Sequence, residues 1–333
     1  MKLFNNKLTQ VITSLFLFGT PAAVLAQTTE ESAPMAKPKA VFPSMNLVDV
    51  KYEHFFPYEY GMKRDGNRIE MGENKQQRVK AGLLIPFYMK NKWIVNGQIR
   101  YKYEKYDFEN VEHYRDSLSL MHDDREEYHF FVGAIRATYQ PTLWGKPALF
   151  TASVFADGSN KELIERVNVD ALGKITLYKD ETTTFDLGLV ATTSPTAIFY
   201  GIPFFMLEHK LNEKWTLDLV FPQSGYLRRS IGSNGRLSGG VSYVSELSFI
   251  YPDQSTYAHS AYTYSRNEIR EELLYEHSLA PGLVFNVRGG GVTEFWNKMK
   301  KKNTSDKFVT TWAPPVHGFV GIGVSYMPQI KKK

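Results

Sequence analysis

Residues 92–106, KWIVNGQIRYKYEKY, alternate between two kinds of side chain. Apolar, aromatic or glycine residues take the odd positions from Trp93 to Tyr103, and polar or charged residues take the even positions from Asn96 to Glu104. A period of two places successive side chains on opposite faces of a β-strand. This stretch therefore predicts a strand with one apolar face and one charged face.

The same alternation recurs along most of the chain. Clear examples are Val48–Glu53, Lys214–Phe221, Leu237–Phe249 and Val320–Tyr326. Such segments number about fourteen, or about twelve if uncertain ones are merged, and no repeat of 20–50 residues indicates a propeller or a solenoid. The pattern predicts an all-β protein, an up-and-down antiparallel barrel of about fourteen strands.

The links between these strands support the same architecture, because short and long links alternate. Short links are expected near Asn91 and at 141–146, 179–182, 212–214, 233–235 and 280–282. Long polar loops are expected at Pro57–Gln77, Asp107–Glu127, Tyr251–Asn267 and Asn297–Pro315. The link Pro222–Gly225 departs from this alternation, because it is short where a long loop is due.

Three segments allow a helix as an alternative. Leu187–Leu207 is long and uncharged, but Pro195, Gly201 and Pro203 favour two strands joined by a loop. Arg266–Leu279 is interpreted as a strand, because a Pro-Gly turn follows it. Lys161–Val167 allows one helical turn as the alternative to a strand.

The N-terminus carries the features of an export signal. Lys2 and Lys7 precede a short apolar core, and Val24-Leu25-Ala26 supplies the small residues that signal peptidase needs. We expect a signal peptide at 1–26 that is cut after Ala26, a flexible periplasmic lead-in at 27–45, a barrel at 46–327 and a basic tail at 328–333. The chain has no Cys, which excludes disulfides and a lipoprotein anchor.

The alternating faces raise the question of which one meets water. Full charges in the middle of strands suit a polar lumen. Aromatic rings on the apolar faces suit the aromatic girdles of an outer-membrane barrel. The alternative is an exported soluble β-sandwich or lipocalin-like binder. The side chains predicted to line the lumen are Lys51, Glu53, Arg100, Lys102, Glu104, Asp218, Glu246, Arg270, Glu272 and Arg288. The predicted girdle consists of Tyr52, Trp93, Tyr101, Tyr103, Trp215, Phe221, Tyr243 and Tyr326.

Part of the chain resembles a known family. Ile202-Pro203-Phe204, the strand KWTLDLVFP at 214–222 and Gly225-Tyr226 look like an uncharacterised family of Gram-negative outer-membrane β-barrels. The closing strand of this chain, Gly318–Tyr326, is similar to the last strand of such barrels. The resemblance covers about 46–327 and implies location in the outer membrane, but it implies no substrate. The chain departs from it by continuing past Tyr326 into a basic tail.

Catalytic and metal-binding patterns are scarce. The sequence contains no G-x-S-x-G, no H-E-x-x-H and no P-loop. Arg288-Gly289-Gly290-Gly291 lies within a strand and favours a close approach over phosphate binding. The acidic run His122–Glu127 favours a solvated loop over a cation site. We therefore expect no enzyme, cofactor or metal, although an outer-membrane enzyme with its residues at the rim of the barrel stays an alternative.

These observations lead to a functional expectation. The net charge of +5 is too small to indicate nucleic-acid binding. The expected partners are outer-membrane lipid, lipopolysaccharide and the barrel-assembly machinery. A barrel of fourteen strands is wider than the kind that side chains just fill, so a channel or small-solute transport protein is expected. A structural or adhesive barrel that acts through its loops is the alternative.

Overall fold

The structure is a computed structural model. It describes residues 46–64, 67–114, 125–193, 201–251, 262–301, 308–312 and 316–327. The expected signal peptide, the lead-in and the basic tail lie outside these residues, as do residues 122–124 of the acidic run at 122–127.

The described chain folds into sixteen β-strands and forms one closed antiparallel barrel. β15 and β16 share one place in the wall between β1 and β14, and the two-residue β5 pairs only with β6, which leaves fourteen wall positions. The predicted fold is therefore confirmed. The strands are β1 (Val48–Arg64), β2 (Asn67–Lys90), β3 (Trp93–His113), β4 (Arg125–Tyr139), β5 (Thr142–Leu143), β6 (Lys146–Ser159), β7 (Arg166–Lys179), β8 (Thr183–Thr192), β9 (Gly201–Lys210), β10 (Trp215–Phe221), β11 (Ser224–Ile231), β12 (Gly235–Ile250), β13 (Tyr262–Ala280), β14 (Leu283–Lys301), β15 (Phe308–Trp312) and β16 (His317–Tyr326).

The base of the barrel is the end at which β1 begins and β16 ends, and the opposite end is the top. All six predicted short links lie at the base. The β13–β14 turn places Gly282 at a φ of 81°, a conformation that side chains other than glycine rarely adopt. In the β7–β8 turn, hydrogen bonds from the Tyr178 hydroxyl and the amides of Thr182 and Thr183 lower the pKa of Asp180 to about 2.

The ambiguous segments are strands. Leu187–Leu207 contributes to β8 and β9, and Arg266–Leu279 lies within β13. Of residues 161–167, only Arg166 and Val167 belong to a strand, β7. Within the part of the chain that is described, no helix has the length and apolar character needed to cross a membrane.

The expected long loops are largely wrong. Pro57–Gln77 belongs to the paired strands β1 and β2, apart from residues 65–66, which lie outside the described residues. Asp107–Glu127 begins inside β3 and ends inside β4. Tyr251–Asn267 and Asn297–Pro315 likewise contain the start of β13, the end of β14 and all of β15. The reason is that the period-two alternation continues through these segments, but with the polar face on the outside. Rings such as Tyr58 and Tyr60 face inwards, and charges such as Glu59 face outwards.

A belt of apolar side chains surrounds the lower part of the barrel. They face outwards, because their chain neighbours point into the interior. Large exposed members of the belt are Val50, Leu83, Ile99, Ile135, Val154, Leu189, Leu227, Val241, Leu273, Val287 and Ile322. A soluble protein does not expose so continuous an apolar surface, whereas a membrane barrel requires one.

Above this belt, one side of the wall continues upwards as a tower. β1, β2, β3, β13 and β14 contain 17, 24, 21, 19 and 19 residues, whereas a membrane-crossing strand needs about 9–11. The outer face of the tower carries exposed ion pairs between Lys75 and Glu109 and between Arg125 and Glu127. The upper halves of these strands therefore project into water.

The opposite side of the wall is low. β8 and β9 have ten residues each, β10 has seven and β11 has eight. At a tilt of about 45°, a seven-residue strand rises about 17 Å along the membrane normal, less than the ~25 Å apolar band of such barrels. The short Pro222–Gly225 link, the exception in the sequence pattern, is the top of this low β10–β11 hairpin.

The upper half of β12 leaves the wall at this point. β11 pairs with β12 only as far as Ser242, although β12 continues to Ile250 beside β13. Some Cα atoms of β12 come within 8 Å of β4 and β6, which lie on the other side of the barrel. The rings of Phe249 and Phe130 meet there with centroids 5.8 Å apart. β12 thus divides the interior into two lobes.

We expect Leu189→Arg, in the apolar belt, to lower the free energy of unfolding by about 2–4 kcal/mol, because it places a charge against lipid. Leu211→Arg is the matched control: both leucines are 54% exposed, but Leu211 lies in the β9–β10 turn at the base. The measurement is urea unfolding in lipid vesicles. Equal losses for the two variants would contradict a membrane-facing belt.

Candidate functional site inside the barrel

The first lobe, enclosed by β1–β4 and β12–β16, contains a buried ion network centred on Arg78. The Arg78 guanidinium donates to Glu104 at 2.8 Å, to Glu268 at 2.9 Å and to Glu53 at 3.2 Å, and it lies over the Phe55 ring. Arg78 and Glu268 are fully buried. Because these carboxylates come from β1, β3 and β13, a single side chain of β2 joins both sides of the lobe.

Further charges extend this network. Arg270 donates to Glu53 at 2.7 Å, and Arg266 donates to Glu104 at 2.6 Å. Lys102 lies 3.2 Å from Glu246 and donates to Ser248 at 2.9 Å. The whole network consists of Glu53, Arg78, Lys80, Lys102, Glu104, Glu246, Arg266, Glu268 and Arg270.

Geometry explains why this lobe is full. The sheet that surrounds it runs through β12, β13, β14, the β15–β16 position, β1, β2, β3 and β4, and β12 approaches β4 to complete the circuit. A cylinder of about eight strands is just wide enough for side chains to fill. Charges that face each other across it are then within bonding distance, so each has a partner of opposite sign.

An apolar cluster fills the tower above the network. Its buried members are Tyr58, Tyr60, Met62, Tyr106, Phe108, Ile250, Tyr262, Tyr264 and Met299. The Tyr106 hydroxyl accepts a hydrogen bond from Arg266 at 2.7 Å, which joins the cluster to the network below. Buried side chains of the described residues thus fill the first lobe at the level of the network and in the tower above it.

The second lobe is enclosed by β4, β6–β11 and the lower part of β12, and its charges are arranged differently. Arg228 and Asp218 pair between the neighbouring strands β10 and β11, and Lys174 and Asp186 pair between β7 and β8 at 2.6 Å. These pairs lie along the wall and do not cross the interior. Asp218 and Arg228 remain 25% and 30% exposed, whereas the side chains of Arg78 and Glu268 have no exposed surface.

The inner wall of the second lobe also has an apolar area. Leu149, Leu172, Val190 and Phe204 pack together on β6–β9, with Met206 at the edge. The Phe204 ring lies across Gly188, where a Cβ atom would come within 2.4 Å of its Cζ. Glycine at position 188 therefore lets the ring lie flat against the wall.

The predicted lumen residues lie in different parts of the barrel: in the network, just below it, in the second lobe and near the base. Glu53, Lys102, Glu104, Glu246 and Arg270 meet in the network, and Arg288 lies 3.8 Å from Glu272 just below it. Asp218 lies in the second lobe. Lys51 is within 4.0 Å of Asp49 near the base, and Arg100 is half-buried on β3.

The predicted girdle residues do not form one ring. Trp93 and Trp215 begin their strands and Tyr326 ends β16, all at the base, whereas Tyr52, Tyr101 and Tyr103 lie farther up the wall. Phe221 ends β10 at the low top, where its ring stacks on Phe205. Tyr243 departs most, because it is buried and its hydroxyl donates to Asn267 at 2.7 Å.

Sequence reasoning missed four network members: Arg78, Lys80, Arg266 and Glu268. A signal was present, because Arg266, Glu268, Arg270 and Glu272 occupy alternate positions of one strand. Arg78 and Lys80 were overlooked because they follow Pro57–Gln77, the segment assigned to a loop.

Among the residues that the structure describes, no three acidic, histidine or cysteine side chains are grouped so as to hold a metal ion. No family model matches the chain, and no curated protein sequence matches it either.

Several solved structures are similar in fold at low identity. An outer membrane channel from Pseudomonas putida F1 shares 9% identity over 90% of this chain and 98% of its own, with a TM-score of 0.35. A FadL homologue from Pseudomonas aeruginosa shares 8% over 90% and 96%, with a TM-score of 0.31. The outer membrane protease OmpT from Escherichia coli shares 9% over 84% and 96%, with a TM-score of 0.27. These similarities are too distant to carry a function.

We expect Arg78→Met to destabilise the folded barrel by about 3–5 kcal/mol, because it leaves three buried carboxylates without their shared cation. Arg229→Met, which removes an exposed arginine from β11, is the control and should change stability little. Thermal unfolding followed by gel mobility measures both. Equal stability of Arg78→Met and wild type would show that the network does not hold the lobe together.

Proposed function

We propose that the chain is an outer-membrane barrel that passes small solutes through its second lobe. The observation that carries this proposal is a contrast in exposure, since the Asp218–Arg228 pair is accessible to water whereas Arg78 and Glu268, at the centre of the network, have no exposed surface. The apolar belt and the short turns at the base support insertion in the outer membrane with the base towards the periplasm.

The proposed pathway has weak charge selectivity. Its accessible charges form pairs of opposite sign, as Asp218 and Arg228 do, so neither cations nor anions are strongly favoured. The first lobe contributes rigidity to this pathway, because its cross-barrel ion pairs hold β1–β3 against β12 and β13.

In planar bilayers, we expect the purified protein to conduct with little preference between potassium and chloride. Arg228→Gln leaves Asp218 without its cation and should shift selectivity towards cations, and Asp218→Asn should shift it towards anions. Glu109→Gln, a charge removal on the outer surface of the tower, is the control and should change nothing.

Folded protein that never conducts in repeated insertions would contradict the channel proposal. The protein would then be a structural or adhesive barrel that acts through its tower. Conduction that responds equally to all three variants would contradict the assignment of the pathway to the second lobe.

A further inference from the structure

The outer face of β13 carries two polar side chains that are closely spaced for a membrane-crossing strand. Glu271 is exposed and points outwards, because its neighbour Arg270 is buried in the interior, and His277 lies on the same face six residues away. Tyr275 and Leu273 are the side chains between them on this face. Six residues at a tilt of about 45° rise about 14 Å along the membrane normal. The apolar part of β13 is therefore shorter than the ~25 Å band of a membrane barrel.

The neighbouring strands of the low wall have short apolar faces as well. The outer face of β10 runs only from Trp215 to Phe221. On β11, Arg229 is exposed with its guanidinium carbon 5.4 Å from the centre of the Trp215 ring, and Leu227 and Gly225 are the outward residues above it. The short apolar face thus extends from β10 to β13.

The tower side of the barrel has a full apolar band. The outward positions of β3 from Trp93 to Tyr103 carry no charge, and the first outward charge is Lys105, twelve residues above Trp93. At the same tilt, twelve residues rise about 28 Å, which is enough for the ~25 Å band. On β4, the outward residues from Tyr139 to Phe131 are likewise uncharged. The two sides of this barrel therefore fit bilayers of different thickness.

Glu271 indicates how this difference is met. Among the described residues it has no ion pair, and it is in register with Val241 of β12, which is in register with Gly225 near the top of the β10–β11 hairpin. A carboxylate in hydrocarbon is strongly unfavourable, whereas thinning a bilayer costs little free energy per ångström. The smaller cost is met when headgroups reach the wall at the level of Glu271.

We propose that the outer face of β10–β13 is a docking surface for the polar headgroups of the outer leaflet, and that the protein thins the bilayer on this side. The outer leaflet dips towards the β10–β11 hairpin and returns to its usual level around the tower. Arg229 marks the opposite limit of the thinned region, since it lies over Trp215 near the base, where both side chains meet the headgroups of the inner leaflet. This surface does not depend on solute passage through the second lobe, so the two proposals can fail separately.

Depth-dependent quenching tests the thinning, and the absence of native cysteine makes each label unique. Val241→Cys and Ile99→Cys are a matched pair: both side chains are exposed on the outer face, and each lies six residues above the start of its strand. In vesicles of dioleoyl phosphatidylcholine, a bimane at each position is quenched by lipids that carry a nitroxide on the headgroup or in the middle of the acyl chain. We expect the headgroup nitroxide to quench the label at position 241 about twofold more than the mid-chain nitroxide does, and the reverse order at position 99.

Two results would overturn the proposal. Stronger mid-chain than headgroup quenching at position 241 would show that a bilayer of full thickness covers this face. Weak quenching by both lipids at position 241, with strong mid-chain quenching at position 99, would show that protein, such as a second copy of the chain, covers it.

A charge removal tests the part played by Glu271. Glu271→Leu should let hydrocarbon rise along the wall, so the ratio of headgroup to mid-chain quenching at position 241 should fall about twofold. Glu109→Leu, which removes an outward carboxylate from the tower, is the control and should leave the ratio unchanged. An unchanged ratio in Glu271→Leu, or an equal fall in both variants, would contradict the role assigned to Glu271.

Discussion

The contacts of Arg78 with three carboxylates are the interaction on which the shape of this barrel depends. Charges are buried only when they are paired, and the guanidinium satisfies Glu53, Glu104 and Glu268 from three different strands. The strands that supply them are drawn together around a narrow interior. A sheet of fourteen positions would otherwise enclose one wide lumen.

The two lobes follow from this constraint. β12 approaches β4 near Phe130 and Phe249, so the strands on the network side form a narrow cylinder that side chains fill. The remaining strands, β6–β11, enclose a space in which charges pair with neighbours along the wall. The interior of one half of the molecule is therefore filled by side chains, whereas the other half retains groups that water can reach.

Sequence reasoning predicted the barrel and its strand number because period-two alternation is a local property. It failed for the hairpin of β1 and β2, where Tyr58 and Tyr60 replace aliphatic residues on the buried face and the outer face is charged. It also placed Glu53, Lys102 and Arg270 on the inner face, but it could not tell whether they line an open lumen or close it. That outcome depends on which strands face each other, which local alternation does not determine.

The network also constrains the order in which the protein can be assembled. Arg78 and Glu268 are separated by 190 positions in the chain, and Glu53 and Arg270 by 217. A chain that has not yet been exported as far as β13 cannot form these pairs, so the charges stay hydrated until that strand arrives. Contacts of such long sequence separation form slowly. The ion pairs that close the barrel therefore form only when strands from both ends of the barrel are in place. A barrel that lacks either set of strands would retain an unpaired, hydrated interior.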